Sequence, residues 1–221
     1  MLKHQVAEKT GISSDELSNI KNIIFDLGGV IIDIYYTKTI ENFKELGFID
    51  FEKIYTQIKQ THIFDLLETG KIPPHVFRME LRKFNQKLND DDIDTAWSAM
   101  IGILPWYNIP LLKTIRKQYR TFLLSNTNAI HINHFYRCLE KEYKNNPLSE
   151  MFEHTYYSHE IGFRKPDADS YEFVINDSGL KASETLFIDD YYPNIQGAKK
   201  AGLIAYHLEN EKIHSLFNYN E

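Results

Sequence analysis

Four sets of polar side chains along this chain are of the kinds that phosphoryl transfer requires. They are the carboxylate of Asp26, the hydroxyl of Ser125, the ammonium group of Lys165 and the adjacent carboxylates of Asp189 and Asp190. A carboxylate such as Asp26 can attack phosphorus and form an aspartyl-phosphate. A hydroxyl and an ammonium group can hold the transferred phosphate, because catalysis of this reaction consists mostly of positioning and charge stabilisation. The residue types therefore predict a phosphoryl-transfer site with Asp26, Ser125 and Lys165 as catalytic residues.

A magnesium site is predicted among the same carboxylates. Mg²⁺ binds hard oxygen ligands, and here it would offset the charge of both the nucleophile and the phosphate. The predicted ligands are Asp26, the backbone carbonyl of Gly28 and Asp190. Asp189 is predicted to act through water, to orient Lys165 or to be a further ligand, because adjacent residues that leave a strand point in opposite directions. The groups predicted to bind the phosphate itself are Ser125, Asn126, Lys165 and Gly29.

Most of these polar residues follow short apolar runs rich in β-branched and aromatic residues, which are typical of buried strands. If the strands are parallel, their carboxyl ends lie at one edge of the sheet, where open α/β sheets bind ligands. Gly28 and Gly29 allow the backbone to turn sharply beside that edge. Lys165 is predicted to reach it from the start of a helix. The runs and the polar residues that follow them are 22–25 with Asp26, 121–124 with Ser125, and 186–188 with Asp189.

The order of the predicted elements indicates two units. Helical and strand patterns alternate over residues 106–210, which implies a parallel sheet with right-handed crossovers. Residues 36–104 carry only helical patterns. The sequence therefore predicts an α/β fold with a Rossmann-like parallel sheet core at 21–35 and 105–221 and an inserted all-helical cap domain at 36–104. Residues 1–20 form a polar leader that is expected to lie outside the core.

Individual elements are predicted from periodicity and end signals. Within the helix that follows Ser125, His131 and His134 are assigned to an exposed face, because no third metal ligand lies nearby. A strand is predicted over 151–157 and another over 203–207. The predicted helices are 38–46, 51–63, 76–84 and one after the N-cap Asn89 in the cap, and 110–119, 130–143, 168–178 and 194–201 in the core.

The composition is that of an ordinary globular chain. Hydrophobic residues make up 43% of the 221 residues and charged residues 25%. The net charge of −6 argues against a nucleic acid or an anionic membrane as the main partner. No apolar run approaches the roughly 20 residues needed to span a bilayer, and the first residues lack the apolar core of a signal peptide. The single cysteine, Cys138, excludes an internal disulfide and fits a reducing compartment. We therefore expect a cytoplasmic monomer or homodimer that binds a small phosphorylated molecule.

Four motifs, taken in order, resemble those of the haloacid dehalogenase-like hydrolase superfamily. The resemblance extends over residues 22–207. It implies a phosphatase with a helical cap that sets the substrate, similar to bacterial α-glucose-1-phosphate phosphatases and to the N-terminal phosphatase domain of soluble epoxide hydrolases. The first family motif is D-x-D-G-[T/V], which DLGGV at 26–30 matches at all but one position. The others resemble LSNTN at 124–128, RKP at 164–166, and FIDD at 187–190 followed by NIQGA at 194–198.

The one departure from the first motif is Gly28. In phosphatases of the family, an aspartate at this position protonates the leaving group and later activates water. General acid–base catalysis contributes roughly 10²–10⁴-fold, against enhancements that reach ~10²¹ for phosphate monoesters. The glycine is therefore expected to weaken the enzyme without abolishing activity. The predicted function is a Mg²⁺-dependent phosphatase that hydrolyses a small phosphorylated metabolite, such as a sugar phosphate, through an aspartyl-phosphate.

Three other functions fit part of the pattern. A 2-haloacid dehalogenase also attacks with an aspartate and lacks the second acid, but it needs no metal, so the pair Asp189–Asp190 favours the phosphatase. A phosphoacceptor receiver domain uses similar residues, but its acid pair comes first in the chain and it has no helical insert. A catalytically weakened protein that binds phosphorylated metabolites is suggested by Gly28, whereas the other catalytic positions argue for an active enzyme.

Overall fold

A parallel sheet forms the centre of the protein. The computed structural model describes residues 1–48 and 62–218, and its strand order is β3-β2-β1-β4-β5. All four neighbouring pairs are parallel. Every residue of β1 is buried, as expected for a central strand with helices on both faces. The predicted α/β fold class is confirmed. The strands are β1 (Asn22–Phe25), β2 (Arg120–Ser125), β3 (His154–Tyr157), β4 (Thr185–Asp189) and β5 (Ile204–His207).

Helices surround this sheet and fill the long connection after β1. Most lie within a few residues of their predicted ranges, and the predicted helix at 51–63 falls almost wholly outside the described residues. In chain order they are α1 (His4–Thr10), α2 (Ser14–Ser18), α3 (Tyr36–Glu45), α4 (Ile63–Glu68), α5 (Pro74–Arg82), α6 (Asp90–Ser98), α7 (Asn108–Arg116), α8 (Ala129–Tyr143), α9 (Leu148–Met151), α10 (Ser158–Ile161), α11 (Ala168–Asp177) and α12 (Tyr192–Lys200). Within residues 1–48 and 62–218, none is long and apolar enough to cross a bilayer.

Helices α3 to α6 pack around an apolar cluster of their own. Its members include Phe43, Phe77 and Trp97, and Ile130 at the start of α8 joins it from the other side. Asn89 caps α6 as predicted, with its side chain accepting from the backbone N–H of Asp92 at 2.8 Å. The division into a core and an inserted cap stays a prediction. Helices α3 to α6 are called the cap.

Two chain segments connect the cap to the sheet, and they lie side by side. Ile34 and Ile101 form an antiparallel bridge, and the N–H of Gly102 donates to the carbonyl of Asp33 at 3.0 Å. A side chain at position 102 would collide with that carbonyl. Glycine is therefore required for this close approach, which fixes where the cap leaves the edge of the sheet.

Residues 1–20 pack against the core, so the expectation that this leader lies outside it is wrong. Val6 of α1 is completely buried and Leu2 nearly so, and both belong to the main apolar cluster. Leu2 also forms an antiparallel bridge with Phe217 near the other end of the chain. The segment is mostly polar, so its composition did not predict that it packs on the core. A few apolar side chains make the contacts.

Two further predictions about elements need correction. The region predicted as a strand over 151–157 begins with the end of α9, and β3 is confined to His154–Tyr157. Lys165 was expected at the start of a helix, but it lies in the loop between α10 and α11, three residues before α11 begins. Hydrogen bonds between the side chain of Asn126 and the backbone of Lys165 hold this loop in place.

Candidate active site

The register of the sheet brings the predicted residues to one edge. Phe25 of β1 pairs with Leu123 of β2 and with Ile188 of β4. Asp26 therefore stands level with Asp189, and its N–H donates to the carbonyl of Ile188 at 2.9 Å. Ser125 ends β2 and is also buried.

Lys165 connects two of the carboxylates. Its Nζ lies 2.7 Å from Oδ1 of Asp26 and 2.7 Å from Oδ2 of Asp189, and the residue is 1% exposed. Burial opposes the charge of Lys165, but the carboxylates of Asp189 and Asp26 outweigh it and raise the pKa of the ammonium group. The ammonium group therefore stays charged between them.

Both carboxylate oxygens of Asp189 accept hydrogen bonds from protein donors. Besides Lys165, its carboxylate accepts from Nδ2 of Asn194, at 3.1 Å to Oδ1 and 3.0 Å to Oδ2. Its Oδ1 also accepts from the backbone N–H of Tyr191 at 2.8 Å. Both oxygens of this buried carboxylate thus have partners. The arrangement suits a residue that orients Lys165 better than one that ligates a metal directly.

Asn126 and Gly197 position the loop that carries Lys165. The side chain of Asn126 accepts from the Lys165 N–H at 2.9 Å and donates to the Lys165 carbonyl at 2.8 Å. Gly197 of α12 lies so close to the carbonyl of Pro166 that a side chain would not fit. Asn126 was predicted to bind phosphate, and its side chain instead holds the lysine loop. Its backbone N–H stays a predicted phosphate donor.

Gly29 makes room for Asp190. It has a φ of +75°, and a Cβ there would collide with the Asp190 carboxylate. Its N–H donates to the carbonyl of Ile32 at 2.8 Å, so it is not available to a phosphate in this arrangement. The structure therefore gives Gly29 a role different from the predicted phosphate contact. Asp190 is fixed from the other side, because Nε2 of His207 contacts its carbonyl at 2.9 Å.

Three carboxylates form a cluster with the dimensions of a cation site. Ligand oxygens of Asp26, Asp189 and Asp190 all lie within 4.8 Å of one another. Burial raises the pKa of the Asp26 carboxyl to about 7; Lys165 opposes this rise and Asp189 adds to it. Burial and Asp189 also raise the pKa of Asp190. One ammonium group does not offset three carboxylates, so the donor set fits a divalent cation with a preference for oxygen.

Gly28 faces Ile34 at the entrance to the cap. A Cβ on Gly28 would lie 2.9 Å from Cγ1 and 3.1 Å from Cδ1 of Ile34. Gly28 is not among the glycines with positive φ. The obstacle to a side chain at position 28 is therefore the contact with Ile34 and not the backbone conformation.

His131 is part of the site, which the sequence reasoning missed. It is 7% exposed rather than on an open helix face. Its Nε2 lies 3.0 Å from the carbonyl of Trp97 and its Nδ1 lies 3.2 Å from Nδ2 of Asn128. These partners assign the neutral tautomer with the proton on Nε2. Burial lowers the pKa of His131 to about 4. The signal in the sequence was Asn128, which caps α8 through the backbone N–H groups of Ile130 and His131.

A cleft of about 1140 Å³ joins these residues to the cap. Core residues including Asp26, Ser125, Lys165 and Asp190 line one end. Tyr36, Glu68 and Trp97 line it from the cap, and Met100 and Ile101 line it from the segment that follows α6. The cleft thus lies between the sheet edge and the cap, and two members of the carboxylate cluster, Asp26 and Asp190, line it.

Comparisons with known proteins agree on one family. The haloacid dehalogenase-like hydrolase family matches residues 20–202. A D-ribitol-5-phosphate phosphatase from Bacteroides thetaiotaomicron is 34% identical over 193 residues, which are 86% of this chain and 93% of that protein. A sesquiterpene phosphatase from Aspergillus oryzae is 27% identical and covers 86% of this chain and 91% of its own length.

Solved structures give the same picture. A HAD-family enzyme from Bacteroides thetaiotaomicron in a magnesium complex has a TM-score of 0.83 and 35% identity, covering 91% of this chain and 100% of its own. The wild-type form of that enzyme was also solved with magnesium and inorganic phosphate. A 2-haloacid dehalogenase from Pseudomonas syringae has a TM-score of 0.60 and 17% identity over 88% of this chain and 94% of its own. Identity this low indicates a shared fold alone.

Proposed function

Because the chain belongs to the haloacid dehalogenase-like hydrolase family, we propose that it is a Mg²⁺-dependent phosphatase with Asp26 as the nucleophile. The observation that carries this proposal is the position of Lys165, 2.7 Å from both Asp26 and Asp189, beside the exposed carboxylate of Asp190. A nucleophile, a fixed cation and a cluster of carboxylates at one sheet edge are the parts that phosphoryl transfer uses. The resemblance inferred from the motifs is confirmed at the level of the family.

The first chemical step forms a bond between a carboxylate oxygen of Asp26 and phosphorus. The bond between phosphorus and the ester oxygen breaks, and the ester oxygen leaves with the electron pair of that bond and then takes a proton from water. Lys165 and Ser125 hold the phosphate oxygens and stabilise the charge that they carry. In the second step a water oxygen bonds to the same phosphorus, which frees the Asp26 carboxylate and releases inorganic phosphate.

Magnesium would be held by Asp26, the Gly28 carbonyl and Asp190. When bound, it neutralises negative charge on the nucleophile and the phosphate, and it favours the ionised form of Asp26 despite burial. Asp189 orients Lys165 in this scheme. Support comes from the three clustered carboxylates and from the family enzyme solved with magnesium and phosphate.

The proposed substrates are small phosphorylated metabolites of the sugar or sugar-alcohol type. Support comes from the D-ribitol-5-phosphate phosphatase, which is 34% identical over 86% of this chain. A glyceraldehyde 3-phosphate phosphatase of Pyrococcus furiosus is 24% identical over 85% of this chain and 80% of its own length. The dehalogenase alternative has in its favour only the fold shared with enzymes of that kind.

A p-nitrophenyl phosphate assay with and without EDTA tests the proposal. The wild-type protein should release nitrophenol with Mg²⁺ and lose activity in EDTA, with recovery when Mg²⁺ is restored. Asp26→Asn should be inactive because an amide is a poor nucleophile. Asp167→Asn is the matched control, since Asp167 is another carboxylate that lines the cleft, and it should keep near-normal turnover.

Three results would contradict the proposal. They are normal turnover by Asp26→Asn, activity that EDTA does not change, and chloride release from 2-chloropropionate by a protein that does not hydrolyse p-nitrophenyl phosphate. The third result would establish the dehalogenase alternative. An inactive protein that still binds sugar phosphates in a calorimetric titration would instead support a binding protein.

A further inference from the structure

Helix α4 of the cap meets the core beside the active site through one guanidinium and two carboxylates. Arg164 directly precedes Lys165, and it pairs with Asp65 and, at 3.0 Å from Nη2 to Oε2, with Glu68. The Asp65 side chain is 51% exposed and that of Glu68 is 24% exposed. Asp65 therefore occupies the outer side of this contact, and Glu68 lies on the inner side, where it lines the cleft.

The pairing of Glu68 is incomplete. Although Nη2 of Arg164 is 3.0 Å from Oε2 of Glu68, the N–H directions do not make a hydrogen bond. Oε2 of Glu68 and Nε of Arg164 are both buried, and neither has a hydrogen-bond partner among the described residues. Asp65 accepts a hydrogen bond from the same guanidinium. A buried carboxylate oxygen without a donor is unfavourable. Because Oε2 is buried, a molecule in the cleft cannot reach it. The Glu68 side chain is nevertheless 24% exposed and lines the cleft, so the acceptor toward a substrate is its other carboxylate oxygen, Oε1.

Glu68 also differs from the other cap residues at the cleft. Among the described cap residues that line it, Glu68 is the charged one, and the rest are aromatic or apolar. Trp97 among them is held rigidly, since its ring stacks on Phe64 at 5.2 Å and on His131 at 5.0 Å. The described cap residues at the cleft thus present two aromatic side chains and one carboxylate.

The charged residues that line the cleft limit which charged groups the organic part of a substrate can carry. Within the described residues that line it, the cations are Lys165 and Arg164. Lys165 is paired with Asp26 and Asp189, and Arg164 with two carboxylates of the cap. Among the described residues that line the cleft, a second anionic group on the substrate would meet no cation that lacks a partner, and it would share the cleft with the carboxylate of Glu68. Hydroxyl groups, by contrast, can donate to a carboxylate.

We propose that Glu68 is the specificity-determining residue of the cap: it accepts a hydrogen bond from a hydroxyl of the substrate's organic part and disfavours substrates with a second anionic group. The preferred class is a phosphate monoester of a neutral polyhydroxylated carbon chain. The proposal rests on the proposed phosphatase function.

The first test compares substrates with the wild-type protein and Mg²⁺. Ribitol 5-phosphate represents a neutral hydroxylated chain, 3-phosphoglycerate represents a chain with a carboxylate, and p-nitrophenyl phosphate reports on the core site without a hydroxylated chain. The kcat/KM for ribitol 5-phosphate should exceed that for 3-phosphoglycerate. The opposite order would overturn the proposal. Loss of p-nitrophenyl phosphate turnover as well would show instead that the phosphatase function is wrong.

The second test replaces Glu68 by Gln, which keeps the shape and removes the charge. Hydrogen bonds to charged groups are strong enough that kcat/KM for ribitol 5-phosphate should fall by about ten- to 100-fold. Turnover of p-nitrophenyl phosphate should change less than about twofold, and the relative rate on 3-phosphoglycerate should rise. Asp65→Asn is the matched control, because Asp65 pairs with the same arginine from the outer side, and it should leave the ratio of the three rates unchanged.

A structural role for Glu68 predicts a different result. If Glu68 only held the cap closed, Glu68→Gln and Asp65→Asn would lower all three rates in parallel, and that result would refute the proposal. Glu68→Asp provides a second variant if Glu68→Gln does not fold. It keeps the charge but shortens the side chain, so the rate on ribitol 5-phosphate should fall while 3-phosphoglycerate stays a poor substrate.

Binding can be measured without turnover. In an Asp26→Asn background, calorimetric titration of ribitol 5-phosphate should give a Kd that Glu68→Gln weakens by about ten- to 100-fold. The Kd of inorganic phosphate should be the same in both proteins, because phosphate does not extend to the cap. Equal Kd values for ribitol 5-phosphate with and without Glu68 would contradict a contact with the substrate.

Discussion

The glycine at position 28 gives a direct test of how the leaving group obtains its proton. Without an acid there, the ester oxygen departs poorly protonated, so good leaving groups such as aryl phosphates should react faster than alkyl phosphates. Installing an aspartate at this position should raise the rate on alkyl phosphates selectively. General acid catalysis is worth roughly 10²–10⁴-fold, and a carboxyl group that is not optimally placed should recover up to about 10²-fold.

The structure indicates which second substitution this experiment needs. A Cβ on Gly28 would lie 2.9 Å from Cγ1 of Ile34, and overpacking of this kind costs about 1–3 kcal/mol. Ile34→Ala removes both Cγ1 and Cδ1. Ile34 is partly buried, so this truncation should cost less than the roughly 2–5 kcal/mol of a fully buried isoleucine. Because Gly28 does not have a positive φ, the double variant Gly28→Asp/Ile34→Ala should fold.

The assay is kcat/KM for ribitol 5-phosphate and p-nitrophenyl phosphate, with Ile34→Ala and Gly28→Asn/Ile34→Ala as controls. The asparagine variant has the same shape but no acidic proton. The alkyl-to-aryl ratio should rise only in the aspartate variant. If the aspartate and asparagine variants are folded and give equal ratios, another group already supplies the proton and the reasoning from Gly28 is wrong.

Two further predictions concern the metal and the histidine. Asp190→Ala should raise the Mg²⁺ concentration needed for half-maximal activity more than Asp189→Ala, because both oxygens of Asp189 already accept from protein donors; the reverse ranking in a Mg²⁺ titration would overturn this assignment. For His131, burial lowers the pKa to about 4 from 6.5. Between pH 4 and pH 6.5 the imidazole is therefore protonated in the unfolded chain but neutral in the folded protein. The free energy of unfolding should therefore be unaffected by this group above pH 6.5 and fall by about 3 kcal/mol as the pH drops to 4. Denaturant titrations should show the difference between the wild type and His131→Gln shrinking over that range, and parallel pH curves for the two proteins would contradict the assignment.

The core end of the site could be predicted because each residue there is local to a strand end. Asp26 directly follows β1, and Ser125 and Asp189 are the last residues of β2 and β4. Parallel crossovers bring such strand ends together without further information. The participation of Lys165 was predicted from its motif, but its place in a loop and the contacts of Asn126 that hold this loop were not. Those contacts join residues 39 positions apart, and periodicity carries no signal for them.

The cap end of the site lies beyond this kind of reasoning. Arg164 and Asp65 are separated by 99 residues and Trp97 and His131 by 34. Each residue alone has the pattern of an ordinary surface or helix position, so His131 was assigned to an exposed face. The leader was misplaced for the same reason, because Leu2 meets Phe217 at the opposite end of the chain. Pairings of this kind depend on how the units dock.

The loop that carries Arg164 and Lys165 reaches both ends of the cleft, yet its two side chains are held independently. Lys165 is fixed within the core by Asn126 through its backbone and by two carboxylates through its ammonium group. The charged partners of Arg164 are Asp65 and Glu68 in the cap. Substitutions at Glu68 should therefore alter substrate choice without moving Lys165. Under the proposed function, substitutions in the cap would then change which phosphorylated substrate is accepted while the core chemistry stays the same.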